Sequence, residues 1–125
     1  MTRKELLGAN EEDMLLTIRK ITGRTEFNFE FRIGKDLWSE GVVDNMEKSQ
    51  DFAKFVWDCL ARHCICDWGD VTQEDKDAND EAFKSDEQLC STYTHTKYPT
   101  IHIVTEADRS ETVVGLLGDF EEVED

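Results

Sequence analysis

Four segments of the chain begin at a residue typical of a helix N-cap, and apolar residues follow at helical spacing most clearly in the first and third. Asn10 with three acids after it begins the first segment, and Gly23 ends it. Thr72 with Asp75 three positions later begins the fourth, as in a capping box. The predicted helices cover residues 11–22, about 40–48 after Ser39, about 50–63 after Ser49, and about 73–85.

Apolar and polar residues alternate in the other segments, which is the pattern of half-buried strands. The alternation is clearest at Phe27, Phe29, Phe31 and Ile33, which are separated by polar residues. The predicted strands cover residues 27–33, 88–96, 100–106 and 111–117. This order of elements predicts an α+β domain in which a mostly antiparallel sheet of about four strands is covered by helices on one face.

The length of 125 residues predicts a single domain over residues 1–125 that is large enough to bury its own core. Residues 119–125 form an acidic tail. Acids interrupt the apolar residues near Met1, so no signal peptide is predicted, and no apolar run is long enough to cross a bilayer. We therefore expect a cytoplasmic protein of its host cell with four reduced cysteines, namely Cys59, Cys64, Cys66 and Cys90.

The formal net charge of −15 is large and unevenly distributed. Residues 1–35 carry seven bases and six acids, whereas residues 36–125 carry the other seven bases and 23 acids. A field of this sign repels nucleic acids and acidic membranes and attracts basic surfaces. The charge therefore predicts a basic protein surface as partner, one that itself binds nucleic acid, and excludes direct binding to nucleic acid or to a membrane. Nothing in the sequence specifies an oligomeric state.

Motifs for metal, cofactor or nucleophilic chemistry are weak. His63, Cys64 and Cys66 bring soft ligand types together, but their spacing lacks the two matched pairs of a structural zinc site. His95 and His102 are expected to face each other across the hairpin if its turn is symmetric, either as a plain cross-strand pair or as a metal or pH site. No glycine-rich phosphate loop is present. The sequence therefore predicts no metal, no cofactor and no catalytic residue.

Two carboxylate-rich turns leave two interpretations open. Asp67 and Asp70 flank Trp68 in one turn, and Glu106 and Asp108 precede Arg109 in the other. Aspartates bond to their own backbone in turns, and an arginine neutralises a nearby carboxylate, so both turns are explained by structure alone. The same residues would also suit acid–base catalysis or a hard cation. The residues of the possible secondary site are Asp67, Trp68, Glu106, Asp108 and Arg109.

The acidic stretch 67–87 is the most informative feature of the sequence. On a helix, Glu74, Asp77 and Glu81 share one face, roughly 4.5–6 Å apart along the axis, which is comparable to phosphate spacing in a nucleic-acid strand. Such a face would occupy a Lys/Arg groove built for DNA or RNA. The alternative is a solvated face that aids solubility. The predicted partner-binding residues are Asp70, Glu74, Asp77, Asp80 and Glu81.

A longer pattern runs through the same region. Its parts are Ala61-Arg62-His63, Asp67-Trp68-Gly69-Asp70, Glu74-Asp75, Ala78-Asn79-Asp80-Glu81-Ala82, Leu89, Ser91, Tyr93 and Ile103 to Ser110. It resembles the GDWG, EDxxANDxAL and ITEADRS pattern of small bacterial "plasmid-related" proteins of mobile genetic elements. The resemblance covers about residues 31–120 and implies that residues 1–28 are an N-terminal extension. This chain departs from it at Cys66 and His102, where the family usually has glycine and an aromatic residue. The family has no established activity, so the resemblance implies a genetic context and not a mechanism.

Three functions are compatible with these features. The first is a non-enzymatic interaction protein that inhibits a nucleic-acid-handling defence system, as in anti-CRISPR or anti-restriction proteins, with carboxylates as phosphate surrogates. The second is an enzyme that uses the two carboxylate-rich turns, which requires that they converge in one pocket. The third is a plasmid or phage maintenance protein that binds a basic subunit of the element itself.

Overall fold

The computed structural model describes residues 3–4 and 10–120, so part of the acidic tail predicted over 119–125 and part of the extension predicted over 1–28 lie outside the described residues. The elements follow in the order β1 (Arg3–Lys4), α1 (Glu11–Thr22), β2 (Lys35–Ser39), α2 (Glu40–Lys48), α3 (Gln50–Cys64), α4 (Gln73–Ser85), β3 (Leu89–Tyr93), β4 (Ile101–Thr105), β5 (Glu111–Leu116) and a short 3-10 helix (Leu117–Phe120).

All four predicted helices are confirmed, because their start signals are local side-chain chemistry. Each N-cap side chain accepts a hydrogen bond from a backbone N–H three residues further on. α1 ends at Gly23, which adopts the left-handed conformation with φ of 76°. α3 extends one residue beyond the expected end. The four N-caps are Asn10, Ser39, Ser49 and Thr72.

The sheet has the order β1-β2-β5-β4-β3. The β3–β4, β4–β5 and β1–β2 pairs are antiparallel, and β2 runs parallel to β5. The α+β class with a mostly antiparallel sheet is therefore confirmed. The last three predicted strands are present, although β3 stops at Tyr93 instead of residue 96.

The predicted strand over 27–33 is wrong. Its alternation of inward and outward side chains is real, but the segment is irregular, and the strand in this part of the chain is β2. The backbone N–H of Glu30 donates to the carbonyl of Cys64 at the end of α3 (2.9 Å), and that of Ile33 donates to the Glu11 carboxylate (2.7 Å). Its backbone groups thus bond to a helix end and to a side chain instead of a neighbouring strand. Because side chains alternate in any extended segment, the sequence pattern of this one is the same as that of a strand.

The prediction that His95 and His102 face each other is also wrong. His102 lies opposite Thr92, and its Nδ1 is 2.9 Å from the Thr92 hydroxyl. The connection between β3 and β4 is a seven-residue loop, not a symmetric tight turn. The aromatic rings of His95 and Tyr98 pack 4.6 Å apart within this loop.

One core cluster joins helices α1, α2 and α3 to the sheet. Met14 and Ile18 of α1 are buried in the same cluster as Trp38 of β2 and Ile103 of β4. The ring of Trp38 packs 5.0 Å from that of Trp57 in α3. Helix α1, which the resemblance assigned to an extension, thus contributes to the main core. Of the helices in the described part of the chain, none is both long and apolar enough to cross a bilayer.

Candidate functional site

Helix α4 lies beside the edge strand β3 and is held there by one buried amide. Asn79 donates through Nδ2 to the carbonyl of Cys90 (2.7 Å), and the N–H of Cys90 donates back to Asn79 Oδ1 (3.0 Å). This pair satisfies the outward-facing backbone groups at the middle of β3, so α4 covers the sheet edge at this point. Ala82, one turn further along α4, is buried against Trp68 and Leu89.

The loop before α4 covers the same edge of β3 with further hydrogen bonds. Asp70 donates its N–H to the carbonyl of Thr92 (2.7 Å), and Thr92 donates to that of Trp68 (3.2 Å). Gly69 lies between them with φ of 85°, and a Cβ at this position would come within 2.1 Å of the Thr92 oxygen. Glycine is therefore required for this close approach of the loop to β3.

Both aspartates of the first carboxylate-rich turn are used to hold this loop. Asp67 receives two hydrogen bonds from the Arg62 guanidinium (2.8 and 3.2 Å), and this bonding lowers the pKa of the Asp67 carboxyl. Asp70 accepts from the backbone N–H (2.8 Å) and the hydroxyl (3.0 Å) of Thr94, which lowers its pKa. These hydrogen bonds within the fold explain the positions of Asp67 and Asp70.

Asp80, one of the predicted partner-binding residues, also has a structural partner. The indole N–H of the buried Trp68 donates to Asp80 Oδ1 (2.9 Å). This bond satisfies the only polar group of the Trp68 side chain and connects the loop to α4.

Three predicted residues remain on the outer face of α4. Glu74, Asp77 and Glu81 are exposed, and at 100° per residue they lie roughly 140–160° around the helix from Asn79. Asp77 accepts one hydrogen bond from Gln73 (2.9 Å), which leaves its charge uncompensated. Among the described residues, no lysine or arginine forms an ion pair with an acid of α4. We refer to Glu74, Asp77 and Glu81 as the acidic face.

The second carboxylate-rich turn is built around Arg109, which has φ of 60°. Its guanidinium donates to the backbone carbonyls of Glu87 (2.7 Å) and Glu106 (3.1 Å) and reaches that of Ala82 (3.4 Å). Arg109 therefore caps the C-terminal end of α4. Hydrogen bonding from Ser110, through its hydroxyl and then its backbone N–H (3.0 Å), lowers the pKa of the Asp108 carboxyl.

The two turns do not converge. Asp70 bonds to Thr94, just after the end of β3, whereas Glu106 follows Thr105, which pairs with Leu89 at the start of β3. They lie at opposite ends of a five-residue strand, roughly 15 Å apart. An acid–base site that combines both turns therefore has no geometric basis.

Sequence reasoning missed a buried polar network centred on His63 in α3. Its Nδ1 lies 2.6 Å from the Ser91 hydroxyl, and its Nε2 lies 2.9 Å from that of Thr105. Thr105 contacts the Thr112 hydroxyl (2.8 Å), and Thr112 donates to the carbonyl of Ile33 (2.8 Å). The proton order follows from this last bond: Thr105 must donate to Thr112, so it accepts from Nε2–H of a neutral His63.

The hydrogen bonds of this network give His63 a structural role. The ring is fully buried, and burial lowers its pKa to about 3. Burial also raises the pKa of Cys59 to about 12 and that of Cys66 to about 11, which keeps both thiols protonated near neutral pH. Within the described part of the chain, no group of three His, Cys, Asp or Glu side chains is arranged to hold a metal ion.

The acidic face is thus the predicted site whose charges are not paired with a lysine or arginine within the described part of the chain. Comparison with protein-family models, with curated proteins and with solved structures finds no match for this chain. The resemblance to plasmid-related proteins therefore stays a prediction, and the acidic face is interpreted from its own geometry and charge.

Proposed function

We propose that this protein is a non-enzymatic interaction protein of a mobile genetic element, which binds a basic nucleic-acid-binding groove in the host cytoplasm and blocks it. The concrete form is an inhibitor of a defence system, such as a CRISPR effector or a restriction enzyme. The observation that carries the proposal is the exposure of Glu74, Asp77 and Glu81 without a cationic partner among the described residues.

The physical argument is one of charge spacing and rigidity. Carboxylates at steps of three and four residues lie roughly 4.5–6 Å apart along a helix axis, close to the phosphate spacing of a strand. α4 is fixed at both ends, by the Thr72 cap and by Arg109, and in its middle by Asn79. A face held in this way loses little conformational entropy when a basic groove binds it.

The overall charge adds a long-range contribution. With a net charge of −15, the protein is attracted toward any strongly basic cleft, which raises the rate of encounter. The same charge keeps it away from nucleic acid itself. The acidic face then supplies the short-range contacts that decide which cleft is filled.

Salt dependence tests this proposal. The protein is added to purified guide-loaded Cas9 and, separately, to a purified restriction endonuclease, and DNA cleavage is measured over a salt series. We expect inhibition of at least one enzyme to weaken by about 40-fold between about 50 and 200 mM salt, because a slope of about −0.9 for each of three charge contacts is smaller in total than that of the six to ten contacts of a typical DNA-binding protein. Inhibition that does not change with salt would contradict the proposed mechanism. If the protein inhibits neither enzyme, the choice of a defence system as target is contradicted. The alternative function, a plasmid or phage maintenance protein that binds a basic subunit of the element, is then favoured.

A further inference from the structure

A second surface, which includes Arg62, has a different chemistry. A groove of about 520 Å³ lies between α3 and the loop that joins β3 to β4. This volume is within the range of small-molecule sites. Its lining combines aromatic rings with cationic side chains, in a chain that is otherwise dominated by acids.

The aromatic part is a triangle of three rings. The centroids of Phe55 and Tyr98 are 5.3 Å apart in a stacked arrangement, those of His95 and Tyr98 are 4.6 Å apart, and those of Phe55 and His95 are 5.0 Å apart. His95 is exposed, and the other two rings are half-buried. Rings supported by one another in this way present a preformed surface for a planar aromatic ligand.

Besides Arg62, which is bonded to Asp67, the cationic part consists of two side chains that share one carboxylate. Lys54 Nζ lies 3.6 Å and Arg24 Nε 3.9 Å from the carboxylate of Asp58. At these distances neither contact is a hydrogen bond, and within the described residues neither side chain donates one elsewhere. Both side chains are held by Asp58 at ion-pair distance only, so an anionic group would compete with Asp58 for their N–H donors. Asp51 on the rim of the groove further limits the charge of the ligand that it accepts.

We propose that this groove binds a nucleotide, with the base stacked on the His95–Tyr98 side and the phosphate between Lys54 and Arg24. A small dianion is favoured over a larger acidic partner, such as the acidic face of a second copy, because two molecules of charge −15 repel each other strongly. The site holds phosphate through side chains, which is consistent with the absence of a glycine-rich phosphate loop in the sequence. It is independent of the acidic face on α4.

Titration of the isotope-labelled full-length protein with AMP, adenosine and inorganic phosphate, followed by amide chemical shifts, tests this site. We expect AMP to shift signals around Lys54, Asp58 and Tyr98 and to bind about tenfold more tightly than adenosine or phosphate alone, because it makes both the stacking and the charged contacts. Equal affinity for phosphate alone, or the absence of a response to AMP, would overturn the proposal.

Variants at exposed or partly exposed positions sharpen the test. Lys54→Gln and His95→Ala should each weaken AMP binding by about fivefold or more, whereas Lys84→Gln on α4 should leave it unchanged. Asp58→Asn should tighten AMP binding by about threefold, since it removes the carboxylate that competes for both cations. If Arg24, Lys54 and Asp58 only stabilised the fold, Asp58→Asn would not be expected to tighten AMP binding. Weakening by Asp58→Asn would overturn the assigned phosphate position.

Discussion

Replacement of His63 by leucine is expected to lower the free energy of unfolding by about 3 kcal/mol or more. His63 is fully buried, and both ring nitrogens are hydrogen-bonded, to the hydroxyls of Ser91 and Thr105. Leucine cannot replace either bond. The Ser91 hydroxyl loses its acceptor, which costs about 1–3 kcal/mol, and Thr105, which still donates to Thr112, loses the bond that it accepts from His63. Urea-induced unfolding followed by far-UV circular dichroism measures the change.

A compensating variant separates lost hydrogen bonds from lost packing. If Ser91→Ala is added to His63→Leu, the hydroxyl left without an acceptor is removed while Thr105 keeps its bond to Thr112, and part of the stability should return. A variant His63→Leu within about 0.5 kcal/mol of the natural chain, the range of an ordinary surface substitution, would contradict the network.

The same residue makes stability depend on pH in a defined direction. Burial lowers the pKa of His63 to about 3, from 6.5 in the unfolded chain. Between these values His63 binds a proton only in the unfolded chain. Its contribution to the free energy of unfolding is therefore fully present above about pH 6.5 and falls by about 1.4 kcal/mol per pH unit as the pH is lowered toward 3. His63→Leu should have a correspondingly flatter profile.

Other groups titrate near this window and must be separated from His63. Burial also lowers the pKa of His102, and Arg109 contributes positive charge near His63. Asp67 and Asp70, whose pKa values are lowered by Arg62 and by Thr94, lose their contribution only in more acidic solution. The difference between the natural chain and His63→Leu, measured from pH 7 to about pH 4.5, isolates His63. Parallel profiles would contradict the assignment.

Neutralisation of the acidic face by Glu74→Gln, Asp77→Asn and Glu81→Gln together is expected to weaken inhibition by about tenfold or more, since three exposed charge contacts contribute about 0.5 kcal/mol each. The substitutions keep shape and hydrogen-bonding capacity and lie on exposed positions. Stability should therefore change by less than about 0.5 kcal/mol. Dose–response curves of DNA cleavage measure the effect.

Helix α2 offers a matched control. Glu40, Asp44 and Glu47 are exposed at steps of four and three residues, and Glu40 lies in the first helical turn, as Glu74 does in α4. Their replacement by Gln, Asn and Gln removes the same three charges from a different surface. We expect this variant to inhibit like the natural chain. Equal losses in both variants would mean that only the overall charge matters.

The helices were predictable because their signals are local. Asn10, Ser39, Ser49 and Thr72 each bond to a backbone group three residues away, so the cap can be read within one turn of sequence. The sheet was less predictable. Strand β2 carries the buried Asp36, whose carboxylate accepts from the Trp38 indole (2.8 Å), so its pattern does not look apolar.

The candidate site also has one part that was predictable from local sequence and another that was not. The exposure of Glu74, Asp77 and Glu81 follows from helical spacing alone. The structural tasks of Asp80 and Arg109 depend instead on how α4 packs against Trp68 and the β3 edge, which no local pattern contains. The only clue to the His63 network was a histidine on an apolar helix, because its partners lie 28 and 42 residues away.

Competition between this protein and DNA for one inhibited enzyme tests the central claim most directly. If the acidic face fills the nucleic-acid groove, increasing DNA concentration should displace the labelled protein, and bound enzyme should protect the amides of α4 from hydrogen exchange while leaving α2 unchanged. A stable ternary complex of protein, enzyme and DNA, or protection confined to surfaces other than α4, would contradict the claim.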